Sequence, residues 1–79
     1  MLAVTLQKPS LREPTSAYEI GERPDPTPRD GWTTVRLRTA SLNHHDIFNL
    51  RGIGVDPSWL PVVMGSDGAG VDEDGNEVI

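Results

Sequence analysis

Three prolines at alternate positions, Pro24, Pro26 and Pro28, constrain this chain most. A proline ring fixes its own φ, removes an amide donor and pushes the preceding residue out of the helical region, so residues 22–31 must be extended. Asp30-Gly31 closes that segment as a turn. Elsewhere, too, proline and glycine cut the chain into short runs. Lys8-Pro9-Ser10 stops an opening strand over Leu2–Leu6, and Gly21 closes a second strand predicted over Ala17–Ile20. Between Trp32 and Leu42, Val35 and Leu37 alternate with Thr34, Arg36 and Arg38, the period of a half-buried strand.

Asn43 ends that run and is a good helix N-cap, with Asp46 at the capping-box position. A short helix is predicted through about Arg51, turning Ile47, Leu50 and Phe48 inward and ending at Gly52. Residues 53–61, with Gly54, Pro57 and Pro61, read as loop, and Pro61–Met64 as a short buried strand. Val71–Ile79 reads as a hairpin turning at Asp74-Gly75. The expected architecture is therefore mainly β, with short strands and one helix near residues 44–51. Its apolar final strand has nothing after it to cover it, which suggests a fragment or a truncated product.

Seventy-nine residues allow one small domain, and 35% hydrophobic content with four aromatics gives it a thin core. No cysteine is present, which excludes disulfides, thiolate zinc sites and thiol nucleophiles. Twelve acidic against seven scattered basic residues, net charge −5, argue against nucleic-acid binding. No apolar run approaches the roughly 20 residues of a membrane span, and the N-terminus lacks the features of a secretory signal. These readings point to a cytoplasmic protein.

Two segments carry chemistry. Ser41-Leu42-Asn43-His44-His45-Asp46 contains both histidines, whose imidazoles can bind a phosphate or relay a proton near neutral pH. The same residues also have a plain structural reading, with Asn43 and Asp46 as caps and the imidazoles solvated. Gly65-Ser66-Asp67-Gly68-Ala69-Gly70 has its glycines in the wrong order for a dinucleotide fingerprint. They suit a kinked strand or close approach of backbone or ligand. Asp72-Glu73-Asp74-Gly75-Asn76-Glu77 has Glu77 where a calcium loop needs glycine, and is read as a solvated turn.

In this order and spacing, the opening strand, the Pro24–Pro28 connector, Val35–Arg38, Ser41–Asp46, Arg51-Gly52, Leu60-Pro61 and Gly65–Val71 resemble the medium-chain dehydrogenase/reductase superfamily. The likeness is to its N-terminal GroES-like catalytic domain. It implies a partly closed antiparallel barrel, incomplete in residues 1–79, with the Rossmann cofactor domain lying outside this chain. Zinc-dependent members of that family place cysteine where Asn43 stands and Gly-His-Glu where Gly65-Ser66-Asp67 stands. Neither Asn43 nor Ser66 is a good zinc ligand, so the pattern is similar to the zinc-independent, quinone-oxidoreductase-like branch, with no metal expected.

The resemblance implies catalytic roles for three residues. Asn43 lies near the nicotinamide or substrate carbonyl, His45 acts in the proton relay, and Asp46 braces the site. His44 faces the cofactor pyrophosphate, while Asp67, lacking a metal to serve, has no assigned role. The implied cofactor is NADPH, or NADH, bound mainly by the C-terminal domain, and the implied substrate is a small quinone or α,β-unsaturated carbonyl. A homodimeric parent is compatible with this. Two alternatives stay open: a zinc-dependent alcohol dehydrogenase using His44, His45, Asp46 and Asp67, and a non-catalytic GroES-like module binding a partner at its sheet edge.

Overall fold

Hydrogen-bonded strands form only where two extended runs find each other, and in this chain they do so in two separate places. The computed structural model describes residues 1–79. Its strands are β1 (Leu2–Leu6), β2 (Tyr18–Glu22), β3 (Arg36–Thr39), β4 (Val62–Val63), β5 (Ala69–Val71) and β6 (Glu77–Val78), with one helix, α1 (His44–Leu50), between β3 and β4. Single 3-10 turns occur at Pro14–Ser16 and Pro57–Trp59. One antiparallel sheet has the order β2-β1-β4 and the other β3-β5-β6. The fold is thus mainly β with one short helix, and the sheets do not close into a barrel.

The first sheet holds the core. β1 pairs along its length with β2, from Leu2 opposite Glu22 to Leu6 opposite Tyr18, and its far edge takes β4. Leu6, Ala17 and Leu50 are buried together, flanked by Val55, Leu60, Val62 and Met64. Asp46 and Leu50, one helical turn apart on the same face, are the only buried residues of α1. The Ser10 amide donates to the Leu50 carbonyl (2.8 Å), fastening the helix end to the loop after β1.

The end of α1 follows from Gly52. With φ of 92°, it occupies the left-handed conformation that side chains resist. Its amide donates to the Asn49 carbonyl, and the Ile53 amide to that of Phe48 (both 2.9 Å), the paired bonds of a Schellman stop.

Several sequence expectations need correction. The strand expected over Trp32–Leu42 shrinks to Arg36–Thr39, because its only partner, β5, is three residues long. Residues 32–35 have no opposing strand, and Leu37 stays 61% exposed because no element covers its face. Ile47 and Phe48 do not turn inward, since α1 packs only through its Asp46–Leu50 face. Gly21 does not close β2 but lies inside it, opposite Ala3, while Ala17 caps the preceding turn. The strand expected over Pro61–Met64 is confined to Val62–Val63 and is only partly buried. Within the expected loop 53–61, the Asp56 side chain accepts from the Ser58 amide (2.9 Å) and starts a turn at Pro57.

No helix is long and apolar enough to cross a membrane.

Candidate functional site

The chemistry-bearing segments meet where sheet β3-β5-β6 gives way to α1. Ser41 and Asn43 lie in the link from β3 to α1, and Asp67 lies just before β5. Because β3 and β5 are hydrogen-bonded neighbours, with Thr39 opposite Ala69, the residues beyond those ends come together.

Asp67 is the hub. Its carboxylate accepts from the Ser41 hydroxyl through both oxygens (2.8 and 2.9 Å) and from the Ser41 amide (3.3 Å). It also accepts from Asn43 Nδ2 (3.1 Å). The Ser41 hydroxyl, then the Asn43 amide, hold the Asp67 carboxyl below its usual pKa against the opposing effect of desolvation, with a lesser contribution from the Ser41 backbone. It is an anion at neutral pH, so it can only accept.

Asn43 is tied at two points. Its backbone amide donates to Asp46 Oδ2 (2.8 Å), the acid's half of the capping box predicted from the sequence. The Asn43 side chain is turned to Asp67. Asp46 is only 6% exposed, and its second oxygen, Oδ1, is buried without a hydrogen-bond partner. His44 and His45, the first two residues of α1, are exposed, and neither imidazole hydrogen-bonds within the chain.

The structure therefore brings together Asn43, His44, His45 and Asp46 at the start of α1, and adds Ser41, to which sequence reasoning gave no role, and Asp67, to which it gave one only in the alternative zinc reading. The polar residues around the strand end were the only signal. The bond from Ser41 to Asp67 spans 26 residues, which no local pattern encodes.

Residues 1–79 do not by themselves assemble a zinc site. Nowhere do three or more His, Cys, Asp or Glu side chains converge on a point that could hold a metal ion. Both oxygens of Asp67 are occupied by Ser41 and Asn43, and Asp46 faces the protein interior. In the glycine run, the space beside Gly68 and Gly70 is taken by β3. A methyl at Gly70 would collide with the Arg36 carbonyl, and one at Gly68 would lie 2.8 Å from Leu37 Cδ2 and 3.1 Å from the Thr39 oxygen. These glycines admit a neighbouring strand, one of the two uses the sequence suggested. A concavity of about 600 Å³ is lined by residues 26–35 and Glu73 and includes none of the site residues.

A zinc-type alcohol dehydrogenase-like protein of Schizosaccharomyces pombe is similar to this chain, 43% identical over 56 residues. The alignment covers 71% of this chain and 15% of that relative's length. No family model matches the chain, and no solved structure matches it.

Proposed function

We propose that this chain is the N-terminal part of the GroES-like catalytic domain of an alcohol dehydrogenase-like oxidoreductase, one that reduces a quinone or an α,β-unsaturated carbonyl with NAD(P)H and without a metal. The observation that carries the reading is the meeting of Asn43 and Asp67. These residues belong to the two segments where zinc-dependent members of the resembled family hold their ligands, and here they bond to each other. The similarity to an alcohol dehydrogenase-like protein supports the oxidoreductase class.

NAD(P)H, bound mainly outside this chain, supplies the hydride. This chain provides one wall of the cleft. A conjugated acceptor needs no Lewis acid, only one or two hydrogen-bond donors for the oxygen that gains negative charge. Asn43 supplies one such donor through its second Nδ2 hydrogen. His45, exposed close by on α1, passes a proton to the reduced product, and His44 would hold the cofactor's phosphates. Asp46 fixes the Asn43 backbone and the first turn of α1.

A second reading, a zinc-dependent alcohol dehydrogenase using His44, His45, Asp46 and Asp67, draws on the relative's name. The engaged oxygens of Asp67 and the burial of Asp46 weigh against it. The two readings separate in one experiment. The full-length protein is purified, treated with chelator and assayed for NADPH oxidation with a quinone and with an enone. Activity that survives chelation supports the metal-free reading. Activity lost to chelator and restored by zinc overturns it.

A further inference from the structure

We propose that Asp67 is a positioning residue for Asn43. It holds the carboxamide with its nitrogen toward the carboxylate, so that one N–H remains free for a ligand. This rests on the reading of Asn43 as the substrate-facing donor.

The two ends of an asparagine amide differ little in shape, so only their partners decide which way it points. Here the partner is a carboxylate, which accepts and cannot donate. The group 3.1 Å from Asp67 Oδ2 must therefore be Nδ2, which leaves Oδ1 on the capping-box side, toward the Asp46 backbone amide.

Asp67 is itself held. The Ser41 hydroxyl reaches both its oxygens and the Ser41 amide reaches Oδ1, so the carboxylate is gripped from a second direction. Ser41 and Asp67 flank the pairing of β3 with β5, which gives the grip a backbone frame. At its other end, Asn43 is anchored through its backbone amide to Asp46. An exposed asparagine without these contacts would turn about both side-chain bonds and flip its amide. With them, it has one orientation before any ligand arrives, which is what orienting a reacting carbonyl requires.

The assignment makes Asp67 act through Asn43 alone, and a double-mutant cycle reads that directly. In the full-length protein, Asp67→Ala is expected to lower kcat by about 10–100-fold, the scale of a misplaced catalytic contact, with the KM for NADPH little changed. Asp67→Asn, which keeps an acceptor, should fall between wild type and Asp67→Ala. Ser41→Thr, which keeps both donors, should retain activity, and Ser41→Ala should not. In an Asn43→Ala background, Asp67→Ala should cost nothing further. An equal loss in both backgrounds overturns the proposal, as does an unchanged kcat in Asp67→Ala.

A second readout does not depend on activity. The Asn43 side-chain amide protons, assigned by their absence in Asn43→Ala, should show one strongly shifted N–H in wild type. That shift should collapse in Asp67→Ala and shrink in Asp67→Asn, where a neutral acceptor replaces the carboxylate, the second variant being read should the first fold poorly. If it does not move, the positioning role is wrong. A wild-type protein that reduces neither quinone nor enone overturns the functional reading instead, and the amide resonance still decides the role of Asp67.

Discussion

Replacing Gly70 with alanine tests how the second sheet is built. Gly70 is the only buried residue of that sheet and sits between Leu37 on one side and Val78 on the other. A Cβ there would lie 2.8 Å from the Arg36 carbonyl carbon and 2.9 Å from Leu37 Cα, with the Arg36 oxygen closer still. All three are backbone atoms of the partner strand, so no side chain can swing away. Relief requires β3 and β5 to separate, which breaks their hydrogen bonds. Overpacking of this kind costs about 1–3 kcal/mol, and the backbone collision places Gly70→Ala near the upper figure. About 3 kcal/mol is roughly a 100-fold increase in sheet opening, against a total stability of about 4–12 kcal/mol for a chain of this size. The core residues Leu6, Ala17 and Leu50 lie elsewhere, so the opening should be local. Hydrogen–deuterium exchange should show the amides of β3, β5 and β6 losing protection while β1 and β2 keep theirs. Gly68→Ala should be milder, because its tightest contact is the tip of exposed Leu37. Gly21→Ala meets nothing within 4 Å and should be neutral or stabilising by about 0.4–1 kcal/mol. If Gly70→Ala exchanges like Gly21→Ala, or if β1 and β2 open equally, the reasoning fails.

Leu6→Ala removes the one large side chain that is fully buried. It should cost about 2–5 kcal/mol, nearer the lower figure because the half-buried Val62 and Met64 can close on the space, as a shift in denaturant midpoint will show. Asp46→Ala removes the acceptor of the Asn43 amide and should cost at most about 1 kcal/mol, since it also removes a buried oxygen that has no partner; thermal unfolding measures it. Asp67 and Asp72 are held below the ordinary carboxylate value of 3.8, Asp67 chiefly by the Ser41 hydroxyl and Asp72 chiefly by the Asn76 amide. Their folded pKa values lie below the unfolded ones, so their stabilisation is complete above 3.8 and lost as pH falls through the folded values. An NMR titration into acid should show the Ser41–Asp67 contact and the 72–76 turn loosening in that range. The Met1 amine, bonded to Asp25 and Glu22, is raised above 8.0, so its contribution is complete below 8.0 and lost as pH rises through the folded value. N-terminal acetylation should abolish that alkaline limb.

What the residues disclosed in advance was local. Leu2–Leu6 forms the predicted strand, Asn43 and Gly52 bracket the helix, and Asp74-Gly75 lies in the turn between β5 and β6. Each of these depends on contacts within a few residues, and side-chain type is enough to specify them. The Trp32–Leu42 run failed for a physical reason. Alternation marks which face of a strand is apolar, but it carries no information on how long its partner will be. Ile47 and Phe48 failed likewise, because helical spacing offers several apolar faces and packing selects one. The glycine run was legible in kind, as a place of close approach, yet the identity of the approaching strand depends on a pairing more than thirty residues distant. The candidate site was half legible for the same reason. Asn43 and Asp46 are neighbours in sequence, whereas Ser41 and Asp67 meet only after β3 and β5 have paired.

That dependence gives Asn43 an unusual position. Its backbone amide is bonded to Asp46, on the helix face that also carries core residue Leu50. Its side chain is bonded to Asp67, which hangs from the second sheet. The molecule is elongated, 43 by 22 by 22 Å, with a radius of gyration of 13.8 Å against about 12 Å for a compact chain of this length. A long shape with two sheets of separate pairing leaves few ties between them, and one of those ties is a single asparagine. Anything that weakens the second sheet therefore releases the Asn43 side chain before it disturbs the backbone. Orientation at the site should fail earlier than folding does, so Gly70→Ala should free the Asn43 amide while α1 and the first sheet remain intact.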